Sequence, residues 1–318
     1  MTRIAILDDY CEGALNAAGW GRLTGAEIEV FTEHLGFDED VIARALAPFE
    51  VLVAMRERTP FPASLLEKLP NLKLLVTTGM RNLAIDMEAA RARGVDVCGT
   101  DMLPYPAFEH AWALILSLTK QIPLEDRTMK SGGWQKGTGV GLNGKTLGVL
   151  GLGKLGAQAA KVGQAFNMDI IAWSENLTDE RCAEVGGVTR VTKEALFSRA
   201  DVITVHLVLS ERTRGLVGAE EFGMMKQSAY FINTSRGPIA DEAALVDALT
   251  NKRIAGAGID VFDVEPLPKD HALRSLANTV LTGHTGYVIA ELYEKVYGQA
   301  VDNIAAWRAG APTRLLNG

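Results

Sequence analysis

Three short stretches of this chain each place a charged residue just past an apolar, strand-like run. YFINTSRG delivers Arg236, IAGAGIDVFDVEP delivers Asp260 and Glu265, and TVLTGHTG delivers His284. Singly, each has an ordinary reading: loop arginines are usually solvated, and loop histidines are often structural donors. Together they supply what reduction of a 2-oxo acid requires. A permanent cation with two parallel N–H groups binds a carboxylate and polarises the adjoining carbonyl. An imidazolium donates the proton that the carbonyl oxygen takes up as hydride reaches carbon. A carboxylate beside a histidine favours its protonated form and fixes the ring.

Hydride needs a carrier, and GVLGLGKLG at residues 148–156 has the form of a dinucleotide-binding turn. Gly151, Gly153 and Gly156 fit G-x-G-x-x-G between the apolar run TLGVLGLG and the helical stretch GKLGAQAAKVGQAF. The first glycine permits the tight turn, the second lets backbone approach a pyrophosphate, and the third lets helix and strand pack closely. The N–H groups of Lys154 and Leu155 would then face the phosphates at the positive end of the helix. Glycine turns also arise for packing alone, so the flanking strand and helix carry the assignment. About 20 positions further on, where such a site holds the adenosine ribose, the chain reads DIIAWSEN. Ser174 is the first polar residue there, Glu175 and Asn176 follow, and no arginine comes after them to meet a 2′-phosphate. Glu175 would repel such a phosphate by about 1–4 kcal/mol, depending on screening. That favours NAD without prohibiting NADP, and a Glu175 that merely faces solvent is the open alternative.

These residues need a scaffold, and the chain alternates short strand-like runs with helical ones. RIAILDD, EIEVFTE, FEVLVAM, LKLLVTTG and VDVCGT come first, with DEDVIARALAPF and IDMEAARARG among the helical segments between them. A strongly apolar helix follows from Phe108 to Lys120, and then the glycine-rich stretch MKSGGWQKGTGVGLNGK, which reads as an exposed loop. A second alternating series runs from KTLGVLGLG through DIIAWSEN, ADVITVHLVLS, AYFINTSRG and IAGAGIDVF to NTVLTGHTG, and ELYEKVYGQAVDNIAAW closes the chain as a helix. This alternation predicts an α/β fold with doubly wound parallel sheets, in which ligands lie beyond the carboxyl ends of the strands.

Bulk properties agree with a two-domain globular protein. The chain has 318 residues, 47% hydrophobic and 22% charged. No apolar run approaches the roughly 18 residues of a membrane span, because the run Ala111–Leu118 is broken by Ser117. A net charge of −7 with no basic block argues against a nucleic-acid partner. The amino end MTRIAILDDY reads as a buried strand, not a signal peptide. Cys11, Cys98 and Cys182 have no metal-ligand spacing, so no metal is expected, and free thiols point to a reducing, cytoplasmic setting.

Over nearly its full length the sequence resembles the D-isomer-specific 2-hydroxyacid dehydrogenase family. The matching stretches are LNGKTLGVLGLGKLG, HLVLSERTRGLVGAEEFGMMKQSAYFINTSRGPI, AGAGIDVFDVEPLPKDHAL and LTGHTG. The resemblance implies a Rossmann-type dinucleotide domain, residues 103–286, inserted in a flavodoxin-like substrate domain made of residues 1–102 and 287–318. The active site would lie in the cleft between them. It makes Arg236 the substrate arginine, Glu265 the histidine's partner and His284 the acid/base, interconverting a D-2-hydroxy acid and its 2-oxo acid. Thr234, Ser235, Arg236, Asp260, His284 and Gly286 would line the NAD, with Asp260 near the nicotinamide, and His206, Leu207, Val208 and Thr213 would form a further cofactor loop. The apolar helix around Glu109–Leu118 resembles the family's dimer-forming element, which implies a homodimer; a buried helix of a monomer is the alternative.

The match departs from the pattern at several points, the segment GTDMLPYPAFEH after Cys98 among them. In the family a glycine-containing turn after the fourth strand holds the substrate carboxylate through backbone N–H groups. Here it reads VTTGMRNLAID, so Gly79 and Met80 are followed by Arg81 where a second glycine is usual. Arg81, and less directly Arg56 in MRERTP, could read a second anionic group on the substrate; solvation, or pairing with Glu57, is the alternative. Met80, Arg81, Tyr105 and Phe108 are candidate pocket walls, and Gly283 stands where a proline commonly precedes the histidine. Glu265 argues against the related formate dehydrogenases, which lack that partner. An NAD(H)-sensing binding protein and a catalytically idle relative stay open, because an intact triad does not establish turnover.

Overall fold

The computed structural model describes residues 1–318 and divides into two compact units, Met1–Leu103 with Val288–Gly318, and Pro104–Tyr287. In the first unit β1 (Thr2–Ile6), β2 (Ala26–Val30), β3 (Val51–Ala54), β4 (Leu74–Thr77) and β5 (Asp96–Cys98) form a parallel sheet in the order β2-β1-β3-β4-β5. That order is the flavodoxin-like one. Val51–Ala54 and Leu74–Thr77 are buried at every position, as central strands covered on both faces must be, whereas the edge strand Ala26–Val30 alternates half-buried with exposed. The carboxyl-terminal helix Ala290–Arg308 belongs to this unit and buries Asn303, whose side-chain amide donates to the Gly99 carbonyl at 2.8 Å.

The second unit holds β6 (Thr146–Leu150), β7 (Asp169–Trp173), β8 (Val188–Arg190), β9 (Val202–Val205), β10 (Tyr230–Asn233), β11 (Gly256–Ile259) and β12 (Thr279–Leu281). All pair in parallel in the order β12-β11-β10-β9-β6-β7-β8. The chain runs outward from β6 to β8, returns to β9 beside β6, and continues the other way. This is the doubly wound Rossmann arrangement, and its switch point lies between β6 and β9. Two apolar clusters cover the two faces, one around Phe197, Phe222, Phe231 and Ile259, the other around Ile115, Leu147, Ile170 and Ile232.

The parallel sheets agree with the sequence reading, and two elements go beyond it. Val188–Arg190 forms β8 with no fully buried residue, and Ile122–Lys130 is a helix that buries no side chain. Neither has an apolar period to announce it. No helix is long and apolar enough to cross a membrane.

Candidate functional site

At the switch point the three glycines do different work. Gly151 ends β6 at φ +100°, and a Cβ there would lie 2.8 Å from the His206 carbonyl oxygen. A Cβ on Gly153 would meet nothing within 4 Å, so this backbone is open to a ligand. A Cβ on Gly156 would run into the Gly151 carbonyl, so the third glycine lets the helix Lys154–Ala165 start hard against the turn. Thr178, Thr192 and Asp241 cap the helices after them with side-chain oxygens, whereas no side chain caps Lys154–Ala165. Its first N–H groups, those of Lys154 and Leu155 included, are left for an anion. Arg181, which the sequence reading missed, braces the same turn: its Nε donates to the Leu152 carbonyl at 3.0 Å and its Nη2 to that of Gly153 at 3.3 Å. No motif predicts it, because it arrives from the helix Asp179–Val185.

Beyond β7, Ser174 is half-buried while Glu175 and Asn176 are exposed. The sequence contains no arginine just after this strand, but the structure brings Arg190 from the end of β8, with Lys193, into the pocket lined by Ser174 and Glu175. Both cations already face carboxylates. Arg190 lies 3.5 Å from Asp179 and Lys193 lies 2.6 Å from Glu221, and Glu194 adds a further negative charge to the pocket wall. A 2′-phosphate therefore gains no unclaimed cation there.

The loop after β9 is built around its own polar groups. His206 Nε2 lies 3.0 Å from the Thr204 hydroxyl, and burial pushes its pKa down to about 4, so the ring is neutral. Leu207 packs on the core and Val208 is exposed. The Thr213 hydroxyl accepts from the Ser210 N–H and donates to the Val208 carbonyl, closing the loop instead of facing out of it. Past β10 the Ser235 hydroxyl is likewise used internally, on the Val205 carbonyl at 2.8 Å, but the Thr234 hydroxyl is buried with no partner. An orphaned hydroxyl, an uncapped helix and an open Gly153 together fit a dinucleotide lying across the strand ends.

The charged residues converge on the same edge of this sheet. Arg236 follows β10, and its Nη1 donates to the Ser235 carbonyl at 2.7 Å. Gly237 next to it has no room for a Cβ, which would strike the backbone of Phe262; this close approach draws the Arg236 loop against the segment leading to Glu265. One Glu265 oxygen accepts the Phe262 N–H at 2.9 Å and the other lies 2.6 Å from His284 Nδ1. The carboxylate thus fixes Nδ1 as the protonated nitrogen and leaves Nε2 to exchange a proton. His284 itself sits at φ +54°, a left-handed conformation that costs a non-glycine residue about 1–3 kcal/mol.

Asp260 holds it there. The carbonyl of Asp260 accepts the His284 N–H at 2.7 Å, and its carboxylate accepts the N–H groups of Thr285 at 2.8 Å and Gly286 at 2.9 Å. Three successive N–H groups therefore point at one buried residue. Burial would push the Asp260 carboxyl up, but donors from His110, Thr282 and Thr285 outweigh it and hold it below the usual carboxylate range.

In the first unit the turn after β4 differs in one respect from expectation. Gly79, at φ +110°, donates its N–H to the Thr100 hydroxyl at 3.0 Å, so it has none to offer a carboxylate; those of Met80 and Arg81 have no partner within the protein. Arg56, also left-handed, lays its guanidinium over Gly79, donates to the Thr78 carbonyl at 3.2 Å and lies 3.5 Å from Glu57. It braces the turn. Arg58 donates to the Asp8 carbonyl and stacks 4.5 Å above the Tyr10 ring. Arg81 and Met80 are exposed. Of the other wall candidates, Phe108 packs against the core of the second unit and Tyr105 precedes its first helix. No three acidic, histidine or cysteine side chains are grouped as metal ligands.

The sequence model of the D-isomer specific 2-hydroxyacid dehydrogenase NAD binding domain matches residues 112–286, more than half of the chain. The chain belongs to this family. Its second unit is accordingly an NAD-binding domain, the assignment that the open glycine turn supports independently. A D-3-phosphoglycerate dehydrogenase of Archaeoglobus fulgidus is 34% identical over 98% of this chain and 58% of its own length, so the chain spans little more than half of that relative. A glyoxylate reductase of Aeropyrum pernix is 35% identical over 80% of this chain and 78% of its own length. Among solved structures, a phosphoglycerate oxidoreductase from Vibrio cholerae superposes with a TM-score of 0.92 at 35% identity, covering 98% of this chain and all of that one (100%).

Proposed function

We propose that this chain interconverts a D-2-hydroxy acid and its 2-oxo acid with NAD, with His284 as acid/base, Glu265 as its partner and Arg236 as the carboxylate and carbonyl ligand. The observation that carries the reading is the 2.6 Å Glu265–His284 pair on the strand edge that also bears the glycine turn. Bound NADH would supply the hydride for the carbonyl carbon. In the reductive direction the Arg236 guanidinium binds the carboxylate and draws electron density from the adjoining carbonyl. The His284 Nε2 proton passes to the oxygen as its negative charge develops, and the ring, held by Glu265 through Nδ1, is reprotonated from water afterwards. Oxidation runs the same path backwards, with neutral His284 taking the hydroxyl proton.

Purified protein with NADH or NADPH and a panel of 2-oxo acids tests this through loss of reduced-nicotinamide absorbance. The panel spans glyoxylate, pyruvate, hydroxypyruvate, 3-phosphohydroxypyruvate, phenylpyruvate and 2-oxoglutarate. We expect turnover with NADH that disappears in His284→Asn, chosen because asparagine tolerates a left-handed backbone. NADH binding without turnover of any acid would overturn the reading in favour of a sensor. Within the same reading, Arg81 recognises a second anionic group of the substrate: Arg81→Ala is expected to raise KM for doubly anionic acids about tenfold and leave pyruvate unchanged, and equal KM values for all acids would refute that role.

A further inference from the structure

The donors that hold Asp260 include one that the reaction itself does not use. His110, on the helix Pro106–Thr119, has its Nε2 2.8 Å from the Thr282 hydroxyl and 3.3 Å from Asp260 Oδ1. Thr282 donates its single hydroxyl proton to Asp260 Oδ1, because an ionised carboxylate only accepts. The hydroxyl must therefore accept from His110, which sets Nε2 as a protonated nitrogen and gives the chain His110 Nε2–H to Thr282 Oγ1–H to Asp260. The His110 ring also lies against Gly286, where an added Cβ would come within 3.6 Å of its Cδ2. It thus touches the loop on both sides of His284, at Thr282 before it and at Gly286 after it. Helix and loop are far apart in sequence, and nothing else in the reaction described above calls for a histidine at this place.

We propose that His110 is a positioning residue: through Thr282 and Asp260 it locks the strained loop 282–286 in the conformation that presents His284 to the substrate. The proposal rests on the reading of His284 as the acid/base. Without the His110 donor, Thr282 is free to turn its hydroxyl away from Asp260, and the left-handed conformation of His284 loses part of what over-determines it. The pyrophosphate turn lies at β6 and is untouched, so most of the cofactor affinity is expected to persist while the chemical step suffers.

The test compares His110→Ala, His110→Gln and Thr282→Val in the full chain. The glutamine side-chain N–H sits where the His110 Nε2–H does, so His110→Gln is expected to stay within threefold of wild-type kcat. His110→Ala and Thr282→Val are each expected to lose about tenfold to a hundredfold in kcat, part of the ~10²–10⁴ that an acid/base group supplies, with the Kd for NADH changed less than threefold. The double variant should be no slower than the slower single one, since both remove one chain of donors. Equal kcat for His110→Ala and wild type, failure of glutamine to restore what alanine removes, or full turnover in Thr282→Val would each overturn the proposal. If wild type binds NADH but reduces no acid, the proposed function fails by itself. The positioning claim is then read from the His284 ring signals by NMR: one set in wild type and His110→Gln, doubled or broadened in His110→Ala; identical spectra in all three would overturn it.

Discussion

At the scale of single residues, the site depends on which polar atom meets which partner. Glu265 divides its two oxygens between the Phe262 N–H and His284 Nδ1. Glu265→Gln keeps the shape but replaces the anion that stabilises a charged ring, so kcat should fall about a hundredfold, within the range for acid–base groups. Stopped-flow single turnovers would show the loss in the hydride step, with the Kd for NADH unchanged; a loss confined to binding would speak against the assigned role. Arg181 makes the opposite separation. It holds the carbonyls of Leu152 and Gly153 and lies away from Glu265 and His284 in the chain, so Arg181→Ala should weaken NADH binding about threefold to tenfold, the worth of one or two charge-assisted hydrogen bonds partly exposed to water. Fluorescence titration checks this, and kcat at saturating NADH should be unaltered.

At the scale of elements, what could be read in advance follows from what is buried. The strands that precede Gly151, Arg236, Asp260 and His284 are apolar runs ending in polar residues, so both their existence and the residues they deliver are legible. Val188–Arg190 and Ile122–Lys130 bury no side chain fully and leave no pattern. Arg181, Arg190, Thr100 and His110 act across elements, and no spacing in a single chain announces such neighbours. Gly79 illustrates the same limit: its left-handed backbone is what a glycine there implies, but the use of its N–H by Thr100 depends on the strand beside it. His206 gives this scale a pH signature. Its folded pKa is depressed from 6.5 to about 4, so between those values the unfolded chain binds more protons and stability falls as pH falls. The contribution is fully present above pH 6.5 and is lost towards pH 4, amounting to about 1–3 kcal/mol given the ring's partial exposure. Thermal melts of the apoprotein from pH 7 to pH 4.5 should therefore be steeper in wild type than in His206→Asn; parallel curves would refute it.

At the scale of the whole molecule, the three thiols report on folding. Cys98 is fully buried and burial pushes its pKa up to about 11, Cys182 is buried and raised in the same way, and Cys11 is exposed. A thiolate-specific reagent at neutral pH should modify one cysteine of the native protein and all three in denaturant; rapid native labelling of Cys98 would contradict the structure. The first unit is assembled from both ends of the sequence, and its edge strand β5 shows how closely. The Val97 N–H donates to the Asn317 side chain, the Leu316 N–H donates to the Val97 carbonyl, and Cys98 bridges to Leu315. During synthesis, residues 1–103 leave the ribosome long before those that cover them, while Pro104–Tyr287 has all its strands at hand earlier. For that interval the outer edge of β5 is an unpaired template for a neighbouring chain. Trimming the last four residues would make that temporary exposure permanent.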